Sequence, residues 1–179
     1  MKTYIVLLRG INIGNHHKVK MAELRSQLES VGFLNVQSYI QSGNVIFESA
    51  ILNKTQIKQK LIALLSTHYD FDIPIQVYTK RDLQHIIDNN PYDSSSEEKV
   101  KQLHVTLLSS SPSLELIDVL AKIDTANDTF EVINNAVYIH CEGPYHKTKL
   151  GNSFIEKKLS CEATTRTWRT IIKIMTITP

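Results

Sequence analysis

The chain has 179 residues, of which 42% are hydrophobic, enough to bury a core as one domain or two small ones. Its net charge is only +2, which argues against a general binder of nucleic acid or of anionic membranes. Two cysteines make no disulfide framework, the apolar run at Ile5–Leu8 is too short for a signal peptide, and no segment approaches the roughly 20 apolar residues of a membrane span. We therefore expect a cytoplasmic protein without membrane association.

The first half of the chain alternates strand and helix signals. A short β-branched and aromatic run at Thr3–Leu8 predicts a buried strand. Apolar residues at helical spacing follow from Met21, and Gly32 is placed to end that helix. A hairpin pattern breaks at Ser42-Gly43. Further signals predict a helix, a strand and a short helix at Ile57–Leu65, Pro74–Tyr78 and Leu83–Ile87. The first six elements form β-α-β-β-α-β, the ferredoxin-like order.

The polar, turn-rich segment DNNPYDSSSEEKVKQ predicts an internal boundary. We expect a ferredoxin-like α+β subdomain at 1–90, a polar connection at 91–101 and a second α+β subdomain at 102–179, packed together as one compact unit. The second half is predicted as β-α-β-β-α-α, and its two final helices cover about 151–159 and 165–176. Because both halves begin β-α-β-β-α, the fold class is α+β with a possible structural duplication.

The loop after the first strand combines glycines with cations. Gly10 and Gly14 allow a close approach of the backbone, and Arg9, Lys18 and Lys20 add positive charge. Exposed amides and cations are what recognition of phosphate or carboxylate requires. The loop lacks the GK[ST] ending of a P-loop and the third glycine of a dinucleotide fingerprint. It is therefore either an anion site, which would include Asn12, or a connection whose glycines only form turns.

The segment ATTRTWRTIIKIM predicts a helix capped by Thr164 or Thr165. Arg166 and Arg169 then lie in its first turns, where positive charge opposes the helix dipole. Two arginines in that place are either solvated or hold an anion beside the free amides. Trp168 begins the apolar stripe Trp168, Ile171, Ile172, Met175 and is predicted to pack in the core rather than to stack on a base.

Trp168 and four other residues are secondary candidates for the site. Ser42, Gly43 and Asn44 have a complete explanation as a hairpin turn and become site residues only if the turn faces Arg9. Lys149 is explained as a solvated cation before a helix.

No catalytic or metal motif stands out. The histidines and cysteines lack the spacing of a closed zinc site, so we predict no metal. Cys141 lies in an apolar strand pattern, where an inert buried thiol is expected. Cofactors and reaction stay open.

Seven segments in order carry a family resemblance: LLRGINIG, KVKMAELRSQLESVGF, VQSYIQSGNVIF, NPY, VYIH, TKL and EKKL…ATTRTWRT. Together they resemble DUF1697, a bacterial domain of unknown function, over essentially the whole chain. The resemblance implies a small soluble α+β protein of duplicated ferredoxin-like character, and no reaction. Three places depart from the family pattern, namely Asn15-His16-His17, Thr148 and Thr167. The last weakens any site that needs an amide before the tryptophan.

Three functions remain open at this point. The first is a binder of a small anionic or phosphate-bearing ligand, possibly an enzyme, with Arg9, Asn12 and Lys18 joined by Arg166 and Arg169. The second is a nucleic-acid-associated module that uses the basic C-terminal region. The third is a protein-protein interaction or oligomeric module, since the sequence does not reveal the oligomeric state.

Overall fold

The computed structural model describes residues 1–179. It contains two four-stranded antiparallel sheets with helices between the strands. The residues form two compact units, Met1–Gln84 with Ile174–Pro179 and His85–Lys173. The predicted α+β class is confirmed. No helix has the length and apolar character needed to cross a membrane.

The first unit is a ferredoxin-like fold. Its strands are β1 (Lys2–Leu8), β2 (Leu34–Tyr39), β3 (Asn44–Ser49) and β4 (Ile75–Thr79), in the sheet order β2-β3-β1-β4. Its helices are α1 (Met21–Ser30), α2 (Lys54–His68) and the start of α3 (Lys80–Asp88). The core joins the helix-facing side of the sheet to α1 and α2 through Tyr4, Val6, Leu8, Leu24, Leu28, Ile57 and Leu61. The predicted end of α1 is confirmed, since Gly32 has a φ of +88° just after the C-cap.

The second unit repeats this plan. Its strands are β5 (Leu103–Leu108), β6 (Thr129–Ile133), β7 (Ala136–His140) and β8 (Ala163–Thr167), in the order β6-β7-β5-β8. Its helical segments are α4 (Glu97–Gln102), α5 (Leu114–Ala121), a 3-10 turn at Tyr145–Lys147, α6 (Asn152–Leu159) and the first part of α7 (Trp168–Ile177). Helix α4 and strand β8 are additions to the predicted elements.

Strand β8 occupies residues where the sequence predicts the start of the last helix. Thr164 and Thr165 therefore cap nothing, and three β-branched threonines in five residues favour the extended chain. The helix begins at Trp168 instead, and the hydroxyl of Thr167 accepts a 3.2 Å hydrogen bond from the Thr170 amide. The placement of Arg166 in a helical turn is wrong, because it lies in the strand.

Matching hydrogen bonds show that the two units are copies of one fold. The Leu8 amide donates to the Gly43 carbonyl at 2.7 Å, and the Leu108 amide donates to the Asn135 carbonyl at 2.8 Å. The neighbouring amides of Arg9 and Ser109 donate at 2.9 and 2.8 Å to the carbonyls of Pro74 and Glu162. Residues 8 and 108 are therefore equivalent, and the predicted duplication is confirmed.

Candidate functional site

The loop between β1 and α1 has an unusual backbone. Six of the eleven residues with positive φ lie in this loop or in the β2–β3 turn, namely Gly10, Asn12, Gly14, His17, Ile40 and Gly43. Ile40 is the most unusual, since a β-branched side chain disfavours the left-handed conformation. Strained backbone of this kind concentrates at binding sites, so the β1–α1 loop and the β2–β3 turn are candidates for a binding site.

Asn12 ties the loop together. Its side-chain oxygen accepts from the Val19 amide, and its side-chain nitrogen donates to the carbonyls of Val19 and Gln41, all at 2.9 Å. The His17 ring stacks on Phe71 with 4.4 Å between ring centroids. The loop is therefore anchored both to itself and to the β2–β3 turn.

The β2–β3 turn lies against the loop. Gly43 accepts a hydrogen bond from Leu8, and a Cβ on Gly43 would stand 2.7 Å from the Leu8 Cβ and 2.8 Å from the Ile11 Cδ1. The buried Asn44 side chain donates to the Tyr39 carbonyl and to the Ser42 hydroxyl. Ser42, Gly43 and Asn44 thus hold the turn in shape next to the loop.

A pocket of about 680 Å³ opens where the loop meets helix α1. Its lining residues are Asn12, Lys18, Val19, Lys20, Met21, Ala22, Arg25 and Gln41. Helix α1 points its N-terminus here, and no side chain caps it. The first helical hydrogen bond runs from the Leu24 amide to the Lys20 carbonyl, so the amides of Met21, Ala22 and Glu23 have no partner within the helix.

The pocket lining is positively charged, with three cations and no carboxylate. Lys18 donates to the Gly14 carbonyl at 2.6 Å, and Arg25 donates to the Ser38 hydroxyl at 2.7 Å. Lys20 pairs with Glu23 at 2.8 Å, and this hydrogen bond raises the pKa of Lys20.

The predicted residues divide around this pocket. Asn12 and Lys18 line it, and Gly14 holds the Lys18 ammonium group. Arg9 and Gly10 belong to the same loop but lie outside the lining. Sequence reasoning missed Arg25 and Gln41 as site residues. The available signal for Arg25 was its position one helical turn after Met21, which turns it toward the N-terminal end of α1.

Arg166 and Arg169 lie in the second unit. Arg166 is a buried residue of β8 whose Nη1 donates to the Thr165 carbonyl at 2.9 Å. Arg169 lies in the first turn of α7 and forms an ion pair with Glu97. Their participation in a site with Arg9 stays a prediction.

Trp168 and Lys149 have local explanations. Trp168 is buried, 6.2 Å from the Tyr138 ring centroid, so its predicted packing role is confirmed. Ile172 is 39% exposed and does not belong to the predicted stripe. Lys149 donates to the Asp124 carbonyl at 2.8 Å.

The cysteines and histidines form no metal centre. No group of three or more histidine, cysteine, aspartate or glutamate side chains is arranged to hold an ion. Cys141 is buried as predicted, and burial raises the pKa of its thiol to about 11. At neutral pH it is therefore a thiol and a poor nucleophile.

Comparison with known proteins agrees with this fold and leaves the chemistry open. The family model of DUF1697, described as a protein of unknown function, matches residues 1–138, and the chain belongs to this family. The motifs TKL and EKKL…ATTRTWRT lie beyond the matched range. The solved structure of the conserved bacterial protein SP0830 from Streptococcus pneumoniae is similar, with a TM-score of 0.77 and 24% identity over 98% of this chain and 97% of that one. No curated protein matches.

Proposed function

We propose that the first unit binds a small anionic ligand, and a phosphate-bearing one best, in the pocket at the N-terminus of α1. The observation that carries the proposal is the convergence of Lys18, Lys20 and Arg25 on a helix end that no side chain caps. Free amides at a helix N-terminus and nearby cations favour phosphate by hydrogen bonding and by charge. The pocket lining contains no serine, threonine, cysteine or histidine side chain.

The duplicated fold supplies an internal comparison. In the second unit the loop equivalent to residues 9–20 is only residues 109–113, and Ser113 caps helix α5 by accepting a hydrogen bond from the Leu116 amide. The same scaffold therefore needs neither the long loop nor the cations in order to fold. This supports a binding role for the loop in the first unit.

The nucleic-acid alternative has less support. The aromatic residues on the strands that an RNA-recognition module would use, Tyr4 and Phe47, are both 0% exposed, so they cannot stack on bases. In the basic C-terminal region, Arg169 is paired with Glu97. From the sequence patterns described above, we also propose that the protein and its ligand are cytoplasmic.

The test is thermal unfolding in the presence of phosphate, pyrophosphate, nucleotides, sugar phosphates, carboxylates and short RNA. A ligand at 100 times its Kd stabilises the folded state by about 2.7 kcal/mol. We expect a phosphate compound to raise the Tm of the wild type, and Lys18→Gln and Arg25→Gln to remove most of the increase. Lys122→Ala, which removes an exposed cation after α5, is the matched control. An equal increase in all variants, or none with any phosphate compound, contradicts the proposal.

A further inference from the structure

The second unit lengthens two connections at one end of its sheet. The first unit joins α1 to β2 through residues 31–33 and β3 to α2 through residues 50–53. The equivalent connections of the second unit are residues 122–128 and 141–151. They flank the paired start of β6 and end of β7, so they lie side by side. Because the first unit forms the same fold with short connections, the added residues are not needed for folding.

Hydrogen bonds join the two long connections to each other. The Asp128 Oδ1 accepts from the Glu142 amide at 3.1 Å, and its Oδ2 accepts from the Thr148 hydroxyl at 2.5 Å. The Lys149 ammonium group donates to the Asp124 carbonyl at 2.8 Å and lies 3.6 Å from the Asp124 carboxylate. The two connections are therefore held in a defined arrangement.

A pocket of about 250 Å³ lies between these connections. Four residues of the first connection and six of the second line it. Pockets for drug-sized ligands span roughly 300–1,000 Å³, so this one suits a smaller molecule. It is lined by the second unit alone and shares no residue with the anion pocket of the first unit.

The charges of the lining balance, and one charge of each sign is left for a ligand. The charged residues are Asp128, Glu142, Lys147 and Lys149, of which Asp128 and Lys149 are engaged in the bonds between the connections. The Glu142 carboxylate lies 3.9 Å from the His140 Nδ1, which is too far for a hydrogen bond. Lys147 is exposed, and its ammonium group makes no hydrogen bond or ion pair.

This balance selects the class of ligand. A metal ion does not fit, since no group of three histidine, cysteine, aspartate or glutamate side chains is arranged to hold one. A simple anion would meet two carboxylates, and a simple cation would meet two ammonium groups. A molecule that carries both charges can form a charge-assisted hydrogen bond with each side chain left over.

We propose that this pocket binds a free amino acid, whose carboxylate pairs with Lys147 and whose ammonium group pairs with Glu142. The second unit would then be a ligand-binding module in its own right. The proposal does not depend on the anion site of the first unit.

The test titrates the full chain with each of the common amino acids and follows the backbone amide signals by NMR. We expect at least one amino acid to shift the signals of Asn127 and Gly143, which line the pocket, in a saturable way. Its amide derivative lacks the carboxylate, and its N-acetyl derivative lacks the ammonium group. Each derivative should bind at least about tenfold more weakly, roughly the loss of one charge-assisted hydrogen bond.

Two variants assign the ends of the ligand. Lys147→Gln should weaken binding of the amino acid about tenfold or more and leave binding of its amide unchanged. Glu142→Gln should weaken the amino acid similarly and leave the N-acetyl derivative unchanged; it keeps the backbone amide that donates to Asp128. Lys157→Gln removes an exposed cation of α6 outside the lining and is the control, which should bind as the wild type does.

Three results overturn the proposal. The first is that no amino acid shifts the pocket signals in a saturable way. The second is that both derivatives bind as tightly as the amino acid, which removes the need for two charges. The third is wild-type affinity in both Lys147→Gln and Glu142→Gln.

Discussion

Gly43 carries a hydrogen atom where any other residue would carry a side chain, and the space for that side chain is already taken. Its φ is +82°, and an added Cβ would meet the Leu8 Cβ and the Ile11 side chain at less than 3 Å. Gly32 has a similar φ of +88° but nothing within 4 Å of an added Cβ. Alanine substitutions at the two glycines therefore separate the cost of a left-handed backbone, which both would carry, from the cost of steric crowding, which only Gly43 would carry.

We predict that Gly43→Ala lowers the free energy of unfolding by about 2–4 kcal/mol, because left-handed strain and overpacking add together. Gly32→Ala should cost only about 1–2 kcal/mol, since it adds strain alone. Urea unfolding followed by circular dichroism measures both. Equal losses in the two variants would show that the turn and the loop are not in close contact.

His104 should make stability depend on pH. Burial lowers the pKa of its imidazole, against the opposing effects of the Gln102 backbone and the Asp128 charge. The folded state therefore binds this proton less readily than the unfolded state, whose pKa is about 6.5. The stabilisation is present above that pH and is lost as the pH falls below it.

The His104 ring stacks on the Tyr145 ring, with 4.4 Å between their centroids. We predict that the Tm falls between pH 7.5 and 5.5 in the wild type and falls less in His104→Phe, which keeps an aromatic ring in this stack. His146→Gln removes an exposed imidazole from the same 3-10 turn and should leave the decrease unchanged. An identical decrease in wild type and His104→Phe would assign the pH dependence to other groups.

At the scale of elements, the start of helix α3 shows how a short motif ends a strand and begins a helix. The Asp82 carboxylate accepts hydrogen bonds from the Thr79 amide at 2.7 Å and from the Thr79 hydroxyl at 2.9 Å. It also pairs with Lys54 of α2 at 2.9 Å. Burial raises the pKa of Asp82, but these hydrogen bonds outweigh it and hold the pKa below its usual value.

We predict that Asp82→Asn lowers the free energy of unfolding by about 1 kcal/mol at pH 7, the usual worth of a helix-terminal cap. Because the folded-state pKa is the lower one, the difference between wild type and variant should shrink as the pH falls below about 4. Urea unfolding at pH 7 and pH 3 measures it. A difference that is the same at both pH values would contradict the role given to the charge.

At the scale of the whole molecule, the chain returns to its first unit at the very end. Residues Ile174–Pro179 belong to the unit that begins at Met1. Ile174 is 0% exposed and Thr178 is 3% exposed. The Thr178 carbonyl accepts a 2.9 Å hydrogen bond from the Lys80 ammonium group. The last six residues therefore include two buried positions, Ile174 and Thr178.

We predict that ending the chain at Lys173 lowers the free energy of unfolding of the first unit by at least about 2–5 kcal/mol, the cost of removing one large buried aliphatic side chain. Removing Pro179 alone, which is exposed, should have little effect. Thermal unfolding and amide exchange of β1 measure both. Unchanged protection of β1 in the shorter chain would show that these residues do not support the first unit.

The local pattern of the chain determined most of its elements. Apolar residues at helical spacing and Gly32 located α1, and the alternating pattern and Gly43 located the β2–β3 hairpin. Both signals are readable in the sequence because they act between near neighbours in the chain. The order of the elements then indicated the ferredoxin-like fold. Residues 163–167 were misread because a run of threonines with one arginine has no clear period, and pairing with β5 decides that it is a strand.

The candidate sites needed the tertiary structure. The pocket that we propose as an anion site includes Gln41, because a hydrogen bond from Asn12 joins the loop to a turn 29 residues away. Hydrogen bonds likewise join the side chains of Thr106, Thr165 and Asn152, which lie on three different elements. Sequence spacing carries no information about such contacts, since they arise when sheet register and helix packing bring distant side chains together.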